Sequence, residues 1–414
     1  MNRRDFLKIS AFAAATPSIG AFAALPASDG IQSPAPASGS SAPKSCFTVK
    51  PHVQLLDENK VAISWMTSKK ATGYVTWSQD GWVTKHTAWS ESDGLLNANT
   101  LSHRAVVAGF DPHKRMEYKV HSRVFASFKP YKEAYAHKEE VLSCVLNELL
   151  PADGAVTWAM FNDVHENLAV YDRFIPHLAD VSAFCVFNGD ILNHVDNEED
   201  VVRGLLRPFS RVSQEARLPV WYLRGNHETR GGFAREMRNY LYLKDSRYYG
   251  AVTIGGVRFV FIDTGEDKRD SHWAYSGLVD FDGYLARQCD WLRNEVESPE
   301  WKSARARIVA RHIPEPLTPS QGKKGELPRL VALDKILAGA NVTLTMAAHL
   351  HKWGWHEAIP GRPYPMIVGG GHLLGKPSNR GNATLVKCRV DSSGLSVKLL
   401  DQTGAVVIDK KIRL

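Results

Sequence analysis

The sequence predicts an all-β sandwich followed by a larger α/β domain, and three observations lead to this fold class. Between residues 46 and 150, apolar and polar residues alternate with a period of two, which is typical of half-buried strands. After Pro151, short apolar runs alternate with helical stretches, which is typical of a layered α/β fold. Residues with metal-ligand chemistry follow five of those apolar runs, so they should meet at one edge of a sheet.

The composition is that of a globular protein with a basic surface. The 414 residues leave room for two domains, and the formal net charge is +7. Lysine and arginine are scattered, which suits anionic substrates better than a nucleic-acid groove, so we expect no nucleic-acid scaffold role. The five cysteines include no Cys-x-x-Cys pair, which argues against zinc-finger or redox chemistry. Cys46 and Cys144 lie near the two ends of the predicted sandwich, and whether they form a disulfide is open.

Residues 1–25 are predicted to be an export signal. Arg3 and Arg4 precede an apolar stretch, residues 9–24, that is too short and too interrupted to remain in a bilayer as an anchor. The run Arg-Arg-x-Phe-Leu-Lys resembles a bacterial twin-arginine signal; a basic unstructured tail is the alternative. The resemblance implies a periplasmic or otherwise extracytoplasmic protein without a stable membrane anchor. Residues 26–45, rich in Pro, Ala, Ser and Gly, predict a flexible linker.

Residues 46–150 predict a β-sandwich without a catalytic cluster. Residues 61–67 and 73–77 both alternate at period two. The run 110–112 followed by Tyr118 resembles the corner of a fibronectin type III sandwich, in which a Tyr hydroxyl bonds to the backbone. We therefore expect a structural module, or one wall of a cleft, and we interpret three histidines as surface or edge residues: His103, His113 and His121.

Residues 151–414 predict strands that alternate with helices. The predicted strands are residues 157–161, 183–187, 219–223, 258–262, 306–310 and 342–347. The predicted helices are residues 167–178, 198–216 and 284–296. Three alternating stretches at the end, residues 384–390, 395–400 and 406–412, should complete a sheet on this domain.

Five polar motifs follow five of these predicted strands. Taken singly, each is compatible with ordinary loop residues, and Gly189 could simply allow Asp190 to cap the next helix. Taken together, they place carboxylate, imidazole and amide groups at one sheet edge, where Asp190 can bridge two cations. The motifs are Asp163-Val164-His165, Gly189-Asp190-Ile191-Leu192-Asn193, Gly225-Asn226-His227-Glu228, His312, and His349-Leu350-His351.

This order of motifs resembles the calcineurin-like metallophosphoesterase superfamily, and the preceding sandwich is similar to the purple-acid-phosphatase branch. The resemblance implies an αββα layered sandwich for residues 151–414. It also implies that Asp190 bridges two metal ions and that His227 is the proton donor beside the phosphate. The first ion would be held by Asp163, His165, Asp190 and His351, and the second by Asp190, Asn226, His312 and His349.

Two positions depart from the pattern of those families. Ala348 replaces a usual Gly, which we expect to have no consequence. Asn193 stands where purple acid phosphatases have a Tyr ligand and protein serine/threonine phosphatases have Asp followed by Arg. We therefore expect no tyrosinate-to-iron colour and doubt a protein-phosphatase role, and we expect Asn193 to donate a hydrogen bond to a phosphoryl oxygen. Arg230 could contact the phosphate or form a surface salt bridge.

The ligand chemistry predicts two divalent or trivalent transition-metal ions, Mn, Fe or Zn, because it combines carboxylate, imidazole and amide groups without thiolate. The resemblance implies hydrolysis of a phosphorylated small molecule by in-line attack of a hydroxide that bridges the metals. Nucleotidase or phosphodiesterase activity, and a non-catalytic binding protein on the same fold, are the alternatives. Oligomeric state is open. Residues 263–270 predict a solvated loop or a lid, and residues 369–372 either line the cleft or form a plain turn.

Overall fold

The computed structural model describes residues 45–318, 327–376 and 379–414. The signal predicted at residues 1–25 lies outside the described residues, as does the predicted linker except for its last residue. Ser45–Leu414 form one compact unit. Within the described ranges, no helix has both the length and the apolar character needed to cross a membrane.

The N-terminal part consists of strands, as the alternating pattern predicts. In β7, inward-facing residues such as Met116, Tyr118 and Val120 are buried while their neighbours are half-exposed. The long strand β2 pairs with β6 along its first half and with β7 along its second. The strands are β1 Phe47–Asp57, β2 Lys60–Ser78, β3 His86–Ala88, β4 Glu91–Ser92, β5 Leu95–Leu96, β6 Thr100–Ala108, β7 Met116–Ser127, β8 Ala134–Tyr135 and β9 Glu140–Leu146.

The α/β part follows the predicted elements to within a few residues. Its strands are β10 Val156–Phe161, β11 Phe184–Asn188, β12 Val220–Leu223, β13 Gly250–Ile254, β14 Val257–Ile262, β15 Ala306–Arg311, β16 Leu344–Ala347, β17 Gly354–His356, β18 Met366–Val368, β19 Thr384–Asp391, β20 Gly394–Asp401 and β21 Val406–Ile412. Its α-helices are α1 Ala169–Phe174, α2 Glu198–Val201, α3 Arg207–Arg211, α4 Phe281–Val296, α5 Pro299–Ser303 and α6 Pro328–Ala338. Two π-helical segments, Val202–Leu206 and Val212–Ala216, extend α2 and α3.

Two sheets face each other in this part. One runs in the order β21-β20-β19-β10-β11-β12 and the other in the order β13-β14-β15-β16-β18-β17. Aromatic side chains join them: the ring of Trp158 lies edge-on to Phe259 at 4.9 Å, and Trp221 stacks on Phe261 at 4.0 Å. The tail strands β19 to β21 add to β10 in antiparallel fashion, which confirms their predicted place on the sheet.

Helices cover the outer face of each sheet. Alternate residues of β10, such as Ala159 and Phe161, turn away from the second sheet and pack under α1 and the helical run that ends at Ala216. On the second sheet, Val260 and Ile262 pack against apolar residues of α4 and α6. The result is a mixed α/β fold with the layer order helix, sheet, sheet, helix.

The N-terminal strands are continuous with the first of these sheets. Gln54 of β1 pairs in parallel with Val220 of β12, so the sheet continues from β12 through β1 into β2 and β7. The Ser213 hydroxyl accepts a hydrogen bond from the backbone of Val53 at 3.0 Å, which fixes β1 to the helical layer. The spacing of apolar residues along one chain carries no signal for such pairing, so the sequence did not predict it.

Three details of the sequence interpretation are wrong. The buried hydroxyl of Tyr118 has no hydrogen-bond partner within the described residues, so the expected bond to the backbone is missing. His103 is buried among the N-terminal strands, where its ring stacks on Trp65 at 5.4 Å. The loop after β14 is not fully solvated, because its first residues, 263–266, are buried. Separately, all five cysteines are free, so Cys46 and Cys144 are not paired.

Candidate metal centre

The carboxyl ends of parallel strands from both sheets meet at one edge. Strands β10, β11 and β12 are mutually parallel, as are β15 and β16. His312, just after β15, donates from Nδ1 to the carbonyl of Asn188 at the end of β11, at 2.9 Å. The side-chain amide of Asn188 donates in return to the carbonyl of Arg311 at 3.0 Å. These two bonds join the two sheets directly beneath the site.

The backbone at this edge is held in an unusual conformation. Residues with side chains rarely adopt a positive φ, and each instance costs about 1–3 kcal/mol unless the surroundings impose it. Five of the seven predicted metal ligands adopt it: Asp163, His165, Asp190, His349 and His351, with φ values of 47°, 46°, 48°, 71° and 48°. Strain concentrated on five residues that share one chemistry indicates that the fold positions these side chains for a function.

The first group of ligand atoms comprises Asp163, His165, Asp190 and His351. The Nε2 atoms of His165 and His351 lie 3.0 Å apart. His351 Nε2 is 3.5 Å from Asp163 Oδ1, and His165 Nε2 is 3.8 Å from Asp190 Oδ2. Two atoms bound to one ion at about 2.1 Å and at right angles are about 3.0 Å apart, so these spacings suit a shared ion.

The second group contains Asp190 again, together with His312 and His349. His312 Nε2 lies 3.2 Å from Asp190 Oδ2 and 3.2 Å from the amide oxygen of Asn226. His349 Nδ1 lies 3.0 Å from that same amide oxygen. Asp190 therefore belongs to both groups, which is the position that a bridging carboxylate requires.

Hydrogen bonds fix which ring nitrogen each histidine offers. A carbonyl oxygen can only accept, so His312 donates from Nδ1 to Asn188 and leaves Nε2 free for a metal. His165 likewise donates from Nδ1 to the amide oxygen of Asn193 at 3.1 Å. Such bonds behind a ligating histidine orient its ring and raise its basicity.

Glu228 fastens the loop that carries Asp190 to the loop that carries Asn226. The Glu228 carboxylate is fully buried and accepts four backbone N–H groups, from Asp190, Ile191, Leu192 and Gly225, at 2.7–3.0 Å. Gly189 has a φ of 72°, and a Cβ there would lie 2.6 Å from Gly225 and from the His312 ring. The two loops therefore approach more closely than any side chain at position 189 would permit.

Burial and mutual charge shift the titration of these groups in the metal-free protein. Burial raises the pKa of Asp163 to about 8; the His312 charge opposes this rise, and the Asp190 charge adds to it. Burial acts in the same direction on Asp190, but the charge and hydrogen bond of His312 outweigh it and lower its pKa. Burial would lower the pKa of His312, yet Asp190 raises it to about 10. A proton on His312 thus supplies the positive charge that a metal ion would otherwise bring.

The donor set fits two transition-metal ions. Burial lowers the pKa of His165 and of His349 to about 4, so both rings are neutral at pH 7 and each offers a lone pair. Carboxylate, imidazole and amide donors suit Mn, Fe and Zn. The structure brings together all seven of the metal ligands predicted from the sequence.

His227 and Asn193 lie beside the two groups. The His227 backbone N–H donates to Asp190 Oδ1 at 3.0 Å, and its Nδ1 donates to the carbonyl of Asn193 at 2.6 Å. Its Nε2 is 4.0 Å from Asp190 Oδ2, and the side chain is 30% exposed, so a substrate can reach it. The Asn193 amide group lies between His165 and Glu166, with its oxygen on the His165 ring and its nitrogen 3.3 Å from the Glu166 carboxylate. Asn193 therefore orients His165, a role that the sequence interpretation did not foresee.

Arg230 is engaged in an ion pair. Its guanidinium donates two hydrogen bonds to the carboxylate of Glu266, at 2.8 and 2.9 Å, and Glu266 is fully buried. The salt-bridge alternative is therefore formed, although its acidic partner lies in the interior rather than at the surface. Glu266 belongs to the loop after β14, whose buried part thus supports the Gly225–Arg230 segment.

The sequence left open whether His372 lines the cleft or lies in a plain turn. The structure places its ring 5.1 Å from that of His165 and 5.5 Å from that of His351, measured between ring centroids. The available signal was the same as for the other motifs, a polar residue after an apolar strand. The intervening glycines allowed a plain turn to explain it equally well.

Comparison with known proteins agrees with this geometry. Residues 157–353 match the family model described as calcineurin-like phosphoesterase. The chain carries a calcineurin-like metallophosphoesterase domain. It is a metal-dependent phosphoric ester hydrolase, since the matched range contains all seven candidate ligands. A search of curated protein sequences found no match.

A solved structure shares the fold of this chain. Purple acid phosphatase PPD1 from yellow lupin (Lupinus luteus) seeds is 13% identical, and the likeness covers 88% of this chain and 74% of that one with a TM-score of 0.64. A dimetal phosphatase from Danio rerio is 15% identical, with 62% and 98% covered and a TM-score of 0.45. The lupin likeness shows the shared fold.

Proposed function

We propose that this metallophosphoesterase is an exported enzyme that hydrolyses phosphorylated small molecules at a centre of two Mn, Fe or Zn ions. The observation that carries the proposal is the position of Asp190. Its Oδ2 lies 3.8 Å from the first group's His165 and 3.2 Å from the second group's His312. One carboxylate thus serves two adjacent ligand sets, which is the arrangement of centres that handle phosphate esters.

The side chains around the centre have two roles, metal binding and proton donation. When bound, two such ions activate a water molecule for in-line displacement and neutralise the charge on the phosphoryl group. His227 is held by its Nδ1–H bond to Asn193, so its Nε2 faces the centre and delivers a proton to the departing oxygen. No covalent phosphoenzyme is required, because no protein nucleophile takes part in this scheme.

The test is a substrate panel on protein of known metal content. Purified chain reconstituted with Mn, Fe or Zn is assayed on phosphomonoesters, phosphodiesters, nucleotides and phosphoproteins. We expect chelator-sensitive hydrolysis of small phosphate esters that disappears in His349→Ala. An exposed histidine, His137, provides the matched control, and His137→Ala should retain full activity. Preference for a diester, a nucleotide or a phosphoprotein would replace the proposed substrate class, and no hydrolysis on any substrate would overturn the proposal.

Export is supported by residues 1–25 alone. A twin-arginine receptor reads the paired guanidinium groups rather than charge, so replacing Arg3 and Arg4 by Lys should leave folded protein in the cytoplasm. Fractionation of cells that express the two forms measures this. Unchanged export of the double-Lys form would indicate the general secretory route.

We also propose that residues 46–150 form a fibronectin type III-like module with a structural role. The alternating burial of β7 supports this proposal. The likeness to the lupin enzyme supports it too, because it covers 88% of this chain and so extends beyond the residues after Pro151 into the N-terminal strands. Because β1 pairs with β12, the module should unfold together with the metal centre. Urea unfolding followed by tryptophan fluorescence and by metal release should then give one transition. Two separated transitions would show an independent module.

A further inference from the structure

One histidine beside the first ligand group has a ring nitrogen with no hydrogen-bond partner among the described residues. His372 follows β18, and its ligand atom lies within 4.8 Å of those of His165 and His351. The three rings face one another at steep angles, 65° between His165 and His372 and 82° between His351 and His372. The rings therefore do not stack on each other, and one ligand atom of each lies in a common region.

The main chain holds His372 in this place. Its carbonyl accepts a hydrogen bond from the side-chain amide of Asn167 at 2.7 Å. The preceding residue, Gly371, donates from its backbone to the carbonyl of Gly381 at 3.2 Å. The residue after it, Leu373, forms a bridge with Asn382. The main chain at His372 is therefore fixed on both sides of the residue, and its side chain is not fully exposed.

The glycines before His372 allow this segment to reach the site. A Cβ on Gly369 would lie 1.9 Å from the amide oxygen of Asn162, the residue before Asp163. A Cβ on Gly371 would lie 3.0 Å from the Cβ of His351. The segment thus packs directly on the two loops that carry first-group ligands, and a plain turn would not require such close contact.

The ring of His372 also has a polar atom that lacks a hydrogen bond. Its Nδ1 is buried and has no hydrogen-bond partner among the described residues. Leaving a buried polar atom unsatisfied costs about 1–3 kcal/mol, so such atoms usually have a ligand or a functional reason. With bonds of about 2.1 Å and the His165 and His351 nitrogens 3.0 Å apart, a third nitrogen on the same ion lies at most about 3.9 Å from both, so a shift of about 1 Å or less brings His372 into range of that ion.

We propose that His372 is an additional ligand of the first metal ion. This proposal rests on the proposed function, because it concerns the same centre. It gives the first ion three imidazoles beside Asp163 and Asp190, whereas the second group has two imidazoles beside Asp190 and Asn226. Imidazole favours Zn and Fe over Mg or Ca, so the first position should be the more selective for transition metals.

The test is metal binding by the full mature chain, measured without substrate. Metal-free protein is titrated with Zn²⁺ by calorimetry and with Co²⁺ by visible absorption, which responds to the number of ligands. The variants are His372→Ala and His372→Phe, which keeps an aromatic ring without nitrogens. The matched control is His194→Ala, because His194 is exposed, pairs with Asp196, and lies one residue from Asn193.

We expect two ions per chain in the wild type and the control, with the same dissociation constants. In both His372 variants one dissociation constant should rise by about 10–100-fold, the size of effect seen when a supporting group of a metal site is lost. The Co²⁺ absorption of that site should change, while the other site keeps its spectrum. If His372→Ala does not fold, the dissociation constants of His372→Phe test the proposal.

Two results would overturn the proposal. Metal constants within about twofold of the wild type in a folded His372 variant would show that the ring does not bind the ion. The same unchanged constants with weaker inhibition by inorganic phosphate would assign His372 to the phosphoryl group instead. Failure of the proposed function is distinct, since it would appear as a wild-type chain that binds two ions and hydrolyses no phosphate ester.

Discussion

Histidines are buried in two regions of this molecule, and the two sets differ in what surrounds them. In the N-terminal strands, His52 and His103 are almost fully buried, and the polar neighbours are the Thr67 hydroxyl, 2.9 Å from His103 Nε2, and the Arg104 charge near His52. His52 lies 5.8 Å from Phe209 between ring centroids, and His103 stacks on Trp65. At the metal centre, buried His312 has Asp190 at 3.2 Å and a second histidine, His349, 5.3 Å away between ring centroids.

The backbone separates the two sets equally well. His52 and His103 lie within strands, where alternate residues turn inward whatever their chemistry. The metal-centre histidines lie just past strand ends, and three of them, His165, His349 and His351, have a positive φ. Burial of a histidine is therefore weak evidence of function. Convergence of several on a carboxylate, at a cost in backbone strain, is strong evidence.

The largest effect should come from the carboxylate that joins the two ligand groups. Asp190→Ala should remove most of both metals and all measurable turnover, because one side chain serves both ions. Elemental analysis and assay on small phosphate esters measure this. Asp172, an exposed carboxylate paired with Arg211, provides the control, and Asp172→Ala should retain both metals. Two ions still bound to Asp190→Ala would show that Asp190 does not join the two ligand groups, and the contrast with the isolated histidines would then be wrong.

Replacing a ligand that belongs to only one group should empty only the metal position of that group. His165→Ala should lose the first ion preferentially, and His349→Ala should lose the second, because their nitrogens face different partners. The stoichiometry of bound metal in each variant should fall from two toward one. His103→Ala should keep both ions and lose only stability, because its ring is buried against Trp65 among the N-terminal strands. Equal loss of both ions in His165→Ala would mean that the partition between the groups is wrong.

A smaller effect, restricted to one class of substrate, is expected at His227. His227→Asn should keep both metals, because the side chain is in neither ligand group. Proton transfer to the leaving oxygen contributes about 10²–10⁴-fold when that oxygen is a poor alkoxide, and little when it is an activated phenolate. Activity on alkyl phosphates should therefore fall much more than activity on nitrophenyl phosphate. Equal losses on the two substrates would show that His227 stabilises the phosphoryl group or the fold.

The metal centre could be predicted from the sequence because its signal is local. Each ligand lies within a few residues of a strand end, and parallel strands bring such ends to one edge. Other features depend on pairs that are distant in sequence. Arg230 forms an ion pair with Glu266, and Asn193 accepts a hydrogen bond from the ring of His165. Strand β1 pairs with β12, which lies more than 160 residues further along the chain. No local periodicity reports such contacts, so the sequence could not name Glu266 as the partner of Arg230 or His165 as the partner of Asn193.

The smallest predicted effect concerns a histidine of the other set. His52 is buried in β1, neither ring nitrogen has a partner among the described residues, and burial, with the Arg104 charge adding to it, lowers its pKa to about 3. The folded protein therefore keeps His52 neutral, while the unfolded chain takes up a proton below about pH 6.5. The contribution of His52 to the free energy of unfolding is therefore fully present above that pH and is lost as the pH falls toward 3.

Replacement of His52 by Leu should make stability less sensitive to acid, because Leu fills a similar volume and has no proton to gain. Between pH 7 and pH 5 the wild type should lose about 2 kcal/mol more than His52→Leu, which follows from a 1.5-unit interval at 1.36 kcal/mol per unit. Urea unfolding of the metal-free proteins at the two pH values measures this, and metal content at pH 7 should be unchanged. The control His137→Leu changes an exposed histidine and should follow the wild type. If the His52→Leu variant instead lost metal, the isolation of His52 from the centre, and with it the contrast between the two sets, would be wrong.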